Sequence, residues 1–176
     1  MALLVPELTL HLLVNQAVQY LLLKDSGTTE IAGALAPITK AALRTKEKEM
    51  KQLGVEVGRR VVQSHSHEHI WLRDQKEQLR YICKDFWTYV FGKPIDRLQT
   101  NNKGIYLLHD NNVKWLRSVS FEDSEMQLTY ATLVMGFIRG MLKGALIALG
   151  VQGKVTVSPE SSQTTFSITL AQPQSQ

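Results

Sequence analysis

Hydrophobic and polar positions divide the chain into three helical stretches, a hairpin, a long apolar helix and a second hairpin. The long helix, read over Gln127–Val151, is the most informative stretch. From Leu133 to Leu149 apolar residues fall on every side, interrupted only by Gly136, Gly140, Gly144, Arg139 and Lys143. A helix that is apolar all round lies in a protein core or in a membrane. Two cations one turn apart near its middle are costly in hydrocarbon, so the pattern predicts a core helix. Gly136, Gly140 and Gly144 recur every four residues and form a groove on one side, where another backbone can approach.

Upstream, Leu10, Leu13, Val14, Ala17, Val18 and Leu21 recur at helical spacing within residues 7–23. Residues 24–45 include the Gly-, Ala- and Thr-rich run GTTEIAGALAP and read as a connecting insertion. A second helix, starting at Pro37 or Thr45 and reaching about Ser64, carries Met50, Leu53, Val57 and Val61 on one stripe, with Gly54 and Gly58 beside it. Each glycine weakens a helix by about 1 kcal/mol relative to alanine, so two of them suggest close packing, the alternative being a break at Gly54. The third helix is the clearest by periodicity. Leu79, Ile82, Cys83, Phe86 and Val90 share one face, opened by Asp74 and closed by Gly92 with Pro94 beyond.

The period then changes to two. Asp96–Thr100 and Gly104–Asp110 form a hairpin across the Asn101–Gly104 turn, and Lys154–Ser158 pairs with Thr165–Leu170 around Pro159–Gln163. Residues 113–121 fit either a strand or a short apolar connection, and Asp123 and Ser124 supply capping chemistry for the long helix. Residues 171–176 read as a frayed tail. This order predicts one α+β domain over residues 1–176, an antiparallel sheet of two hairpins backed by helices around the long buried one.

Composition adds constraints. At 176 residues with 44% hydrophobic content the chain can bury a full core, and its net charge of +4 is scattered. The densest charged run, RTKEKEMK, mixes signs, which argues against a nucleic-acid surface. The apolar start lacks a basic region and carries Glu7 and His11, unlike a signal peptide. One cysteine, Cys83, permits no internal disulfide and suits a reducing compartment. His65, His67 and His69 alternate, but no cysteine or carboxylate cluster completes a ligand set, so no metal or cofactor is expected. Phosphate-loop, dinucleotide, zinc-protease and nucleophile-elbow motifs are all missing, and the reading is of a non-enzyme. Cys83 lies on the apolar stripe of its helix and reads as structural.

Three blocks carry a family resemblance: LGVEVGRRVV (53–62), LRYICKDFWTYVFGKPIDRLQTNNKGIYLLHDN (79–111) and GFIRGMLKGALIALGVQGKVTV (136–157). In this order and spacing they resemble the small subunits of the TRAPP vesicle-tethering complex, in the subunit-six or "thirty-three" branch. The resemblance implies a mixed fold with paired hairpins and dimerisation with a paralogous small subunit through the first two helices. It also implies indirect action, through the complex, on Rab-type GTPases, at the cytoplasmic surface of endoplasmic reticulum and Golgi. On that reading Leu10, Leu13, Val14, Ala17, Val18, Leu21, Val57 and Val61 are the candidate interface. Gly54, Gly58, Gly136, Gly140 and Gly144 are close-packing positions. Another branch carries an acylated cysteine before its third helix; here that position falls at Trp71 or Leu72. The rival reading is a lipid- or small-molecule-binding module with an apolar pocket beside the central helix.

Overall fold

The computed structural model describes residues 6–24, 38–65, 74–101, 104–117, 120–121, 123–159 and 163–171. Its elements are α1 (Pro6–Leu23), α2 (Lys40–His65), α3 (Gln75–Tyr81), α4 (Trp87–Phe91), β1 (Arg97–Thr100), β2 (Ile105–Asp110), α5 (Lys114–Arg117), α6 (Ser124–Ala148), β3 (Gly153–Pro159) and β4 (Thr164–Leu170). The four strands form one antiparallel sheet in the order β1-β2-β4-β3. Each hairpin contributes two strands, and β2 and β4 join them at the centre.

Register fixes which side of the sheet is apolar. Leu98 faces Leu108, Leu108 faces Phe166, and Ile168 stands between Tyr106 and Val155. Opposed residues project to the same side. Leu108, Phe166 and Ile168 are therefore buried together, while Gln99, Ser167 and Lys154 alternate to the other face.

Above the buried side lies α6, whose Leu133, Phe137, Ile138, Met141, Leu142 and Ala145 are fully buried. By length and composition α6 could cross a bilayer, but most of its apolar surface is spent inside the chain. The Asp123 carboxylate accepts the Glu125 N–H at 2.9 Å and caps its start. At its end the Val151 N–H reaches back to Leu146 O, a closure that Gly150 permits by taking φ of 74°.

Against α6 lies α2, backbone to backbone. A Cβ added at Gly54 would stand 2.2 Å from Phe137 O, at Gly58 2.1 Å from Met141 O, at Gly140 2.1 Å from Lys51 O, and at Gly144 2.1 Å from Val55 O. No real side-chain carbon fits there. Gly136 differs, because its nearest neighbour is the Glu47 side-chain Cγ at 2.9 Å. Beyond the glycines, Arg139 bridges to Glu47 at 2.7 Å, and the Lys143 ammonium donates to Gly153 O at 2.7 Å. The two cations of the apolar run thus have partners.

Aromatic rings fill the space between the sheet and the helices. Trp87 meets Phe166 at 5.1 Å and Phe91 at 4.4 Å, and Phe91 meets Trp115 at 4.6 Å. α1 closes this side. His11 stacks on Trp115, the Tyr130 hydroxyl donates to Asn15 at 2.5 Å, and the Lys46 ammonium donates to Leu21 O.

Four sequence expectations change in the structure. α2 begins at Lys40, so residues 40–45 belong to a helix and not to the insertion; Thr39 caps it by accepting the Ala42 N–H, and Ala, Leu, Lys and Glu are strong helix formers. Leu53 is exposed on α2, because the inner face is set by Gly54 and Gly58. Residues 114–117 make a helical turn that buries Trp115 where a strand or connection was the choice. The third helix is continuous from α3 to α4 but passes through a π-helical stretch at Ile82–Phe86. There the Cys83 carbonyl accepts the Ile95 N–H at 2.9 Å, tying the helix to the loop before β1. At the C-terminal end, the Ala171 N–H is held by Gln152 O.

The glycine seam gives a graded test. Gly140→Ala gains up to about 1 kcal/mol of helix propensity, yet overpacking against the Lys51 carbonyl costs about 1–3 kcal/mol. Thermal melts are expected to show a net loss for Gly140→Ala, a larger one for Gly140→Leu, and a smaller one for Gly136→Ala, where the Glu47 side chain must shift but no backbone atom lies closer than 3.3 Å. Equal melting temperatures for Gly140→Ala and Gly136→Ala would refute the backbone contact.

Candidate functional site

Of the candidate interface residues, Val14, Val18, Leu21 and Val61 turn inward and are buried in the chain's own core. Leu10, Ala17 and Val57 pack half-buried against it. Leu13 alone of the eight is exposed, at 42%. The stripe read from the sequence is therefore the face by which α1 and α2 hold the fold together.

The opposite face of α1 is also apolar. Leu8, Leu12 and Tyr20 are 52, 55 and 65% exposed and lie on the same side as Leu13, within about 18 Å along the helix. Thr9, Gln16 and Gln19 complete that side. Half of the large exposed hydrophobics among the described residues thus fall on one helix face. Four large apolar side chains thus stand in solvent on this side, interleaved with Thr9, Gln16 and Gln19. Periodicity alone missed it, because a helix apolar on both sides shows the stripe that is most regular and hides the second; the signal available was the excess of leucines in LTLHLLVNQAVQYLLL.

The strongest polar cluster sits at the end of β2. Asp110 is fully buried, and its carboxylate accepts the Trp87 indole N–H at 2.9 Å, the Lys93 ammonium at 2.6 Å and the Asn112 N–H at 2.8 Å. Lys93 also donates to Asp96 at 2.7 Å, and Asp96 accepts the Asn111 N–H. The Lys93 hydrogen bond holds the Asp96 carboxyl below its usual range against the opposing effect of burial. Burial pulls the Lys93 ammonium down, but its bonds to Asp110 and Asp96 outweigh that and hold it above its usual value. Each donor here is directed at a carboxylate oxygen of the same cluster. The geometry is that of a clamp joining α4, the turn before β1 and the end of β2, with no room for a substrate at Asp110. Nearby His109 faces Thr165 at 3.0 Å and Gln99 at 2.9 Å on the outer side of the sheet.

Cys83 is buried, and burial pushes its thiol up to about 12. It stays protonated at neutral pH and is a poor nucleophile. It lies at the base of a groove of about 390 Å³ between α3 and β1. A second, smaller hollow of about 120 Å³ lies beside α6, where Arg139 meets Glu47. No group of three or more metal-ligating side chains occurs among the described residues. His67, His69, Trp71, Leu72 and the His65 side chain lie outside them.

Residues 10–171 match a family model described as "Transport protein particle (TRAPP) component". The chain is 34% identical over 112 residues to the human trafficking protein particle complex subunit 6B, covering 64% of this chain and 70% of that one. Against the Danio rerio subunit 6b it is 36% identical over 107 residues, covering 61% and 67%. Against the human subunit 6A it is 34% identical over 110 residues, covering 62% and 67%. Among solved structures, a trafficking protein particle complex subunit 3 from Naegleria fowleri, covalently bound to palmitic acid, superposes with a TM-score of 0.58 over 92% of this chain and 95% of that one. At 13% identity this is a likeness of fold.

The clamp predicts a stability signature. Lys93→Met leaves the buried Asp110 carboxylate with neutral donors only, and is expected to cost about 3 kcal/mol in urea unfolding. Asp96 stabilises the native protein above its unfolded pKa of about 3.9, and that contribution is lost as pH falls through its lower folded value. Lys93 contributes fully below about pH 10.4, and its share is lost as pH rises through its higher folded value. Both limbs should flatten in Lys93→Met. Unchanged urea midpoints from acid to alkaline pH would show that the clamp carries no stability.

Proposed function

The chain belongs to the TRAPP component family, and from that premise we propose that it is a non-catalytic scaffold subunit of a TRAPP vesicle-tethering complex, docked to a paralogous small subunit through the outer face of α1. The observation that carries this reading is the cluster of Leu8, Leu12, Leu13 and Tyr20 standing exposed on one side of a helix whose other side is already committed to the core. Removing about 25 cal/mol per Å² of apolar surface from water drives such a contact. Further subunits then extend the assembly, and a Rab-type GTPase is engaged by the complex and not by this chain. Its place is the cytoplasmic side of endoplasmic reticulum and Golgi membranes, held there through the complex.

The rival reading, a lipid-binding module with its pocket beside the central helix, has less support. The hollow beside α6 holds about 120 Å³ and an ion pair, against roughly 300–1,000 Å³ for pockets that enclose small molecules. The palmitic acid of the Naegleria fowleri protein belongs to a chain that shares the fold at 13% identity, and Cys83 here is inside a helix.

Co-expression with a TRAPP small subunit tests the interface. Leu12→Asp combined with Tyr20→Asp is expected to abolish the one-to-one dimer in light scattering while circular dichroism and the melt stay close to those of the parent chain. Val14→Asp, by contrast, should unfold the chain, since it places a charge in the core. A doubly substituted α1 that still pairs at micromolar concentration would overturn this assignment.

The scaffold role has a kinetic consequence. An exchange factor must bind the nucleotide-free GTPase more tightly than the loaded one. The stretch between α1 and α2 offers little for that: residues 27–37 contain Glu30 as their single acid and no base. Fluorescent-GDP release from a Rab-type GTPase is expected to be unchanged by the lone subunit. Strong acceleration would place exchange chemistry in this chain.

A further inference from the structure

The groove between α3 and β1 has a character that the dimer reading does not use. On the core side of the sheet Leu108 is completely covered, but its neighbour across the ladder, Leu98, is 43% exposed. The apolar surface therefore continues past the edge of the core, and Leu79, Cys83, Ile95 and Tyr106 complete its floor. Along the opposite wall stand Lys76, Arg80 and Lys84, at successive four-residue steps and exposed. None of the three makes an ion pair with a described residue, whereas Asp96, the acid of the groove, is already engaged by Lys93 and the Asn111 N–H. The π-helical stretch Ile82–Phe86 lies in this wall, a distortion that recurs at functional sites. β1 is an outer strand of the sheet.

We propose that this groove docks an extended acidic segment of a protein partner, laid along β1 with alternate carboxylates on Lys76, Arg80 and Lys84 and intervening apolar side chains on the Leu98 floor. Charge selects the occupant: three cations that pair with no acid among the described residues, standing over an apolar floor, fit a ligand that is both acidic and apolar. Spacing selects its conformation. Residues two apart in an extended chain repeat every 6.8 Å or so, close to the roughly 6 Å that four residues climb along a helix. The groove shares no residue with the exposed face of α1, so the two surfaces can be occupied together.

Fluorescence anisotropy decides it, with the full chain alone or in its heterodimer and a fluorescein-labelled peptide of about eight alternating glutamate and valine residues, roughly 27 Å when extended. The expected result is saturable binding that weakens with salt, is lost when glutamine replaces every glutamate, and falls about tenfold or more in Lys76→Glu combined with Arg80→Glu. Leu98→Asp should weaken it as well. If that variant does not fold, the charge-reversed chain, whose changes are on the surface, carries the test, with circular dichroism checking its fold. Equal binding of the glutamine peptide, or an affinity indifferent to charge reversal, would overturn the proposal. So would failure of the peptide alongside charge-dependent binding of phosphatidylserine vesicles, or of palmitate, since the groove would then serve a membrane or a lipid.

Discussion

The close approach of α2 to α6 is the constraint on which the other contacts rest. Helices with ordinary side chains pack 8–10 Å apart; at Gly54, Gly58, Gly140 and Gly144 the two backbones touch instead. The glycines lower the intrinsic stability of both helices, and the return comes from many backbone dispersion contacts that a bulkier residue would prevent. With α2 so near, α6 is sheathed on one side by a helix and on the other by the sheet. That explains why a helix apolar on all sides is stable here without a membrane around it. The two cations stand beside the seam, where Arg139 finds Glu47 and Lys143 finds the Gly153 carbonyl.

Much of this was legible in the sequence. Four-residue glycine spacing inside an apolar helix leaves few alternatives to close packing, and the change of period at Asp96 marks where helices give way to strands. The Leu79–Val90 stripe reads as one face, and all five of its members are buried. The π-helical stretch was not legible. It slips the ladder by one residue without disturbing the apolar stripe, and it coincides with a distant bond, the Ile95 N–H to the Cys83 carbonyl, that no local pattern announces. The stretch at 113–121 was ambiguous for a similar reason: Lys114–Arg117 form a turn whose tryptophan reaches the Phe91 and Phe137 rings, and four residues are too few to show a period.

Asp110 shows the same limit for polar residues. On the sequence it is one carboxylate at the end of a strand; in the fold it is the acceptor for an indole, an ammonium and a backbone N–H drawn from three places in the chain. A buried charge is tolerated when donors surround it, and breaking such a set is costly because the remaining partner is stranded. Trp87 supplies the one hint, since a buried indole N–H needs an acceptor. The cluster binds secondary-structure elements to each other, and its chemistry is consumed in doing so.

α1 carries the argument from fold to assembly. Its inner side enters the core through Val14 and Val18 and is fixed by Asn15 to Tyr130 and by His11 against Trp115, while its outer side presents leucines and a tyrosine to solvent. On the proposed docking one helix serves both purposes, and folding and association are then thermodynamically linked. A partner that binds only the folded chain adds about 2.7 kcal/mol of stability at a hundred times its dissociation constant. Disturbing the inner side would then look like a loss of assembly, although the contact itself is untouched. Periodicity singled out that inner side, because a regular apolar stripe is first of all the signature of a core. The residues that distinguish a subunit from a free-standing domain are those that remain apolar after the core has been closed.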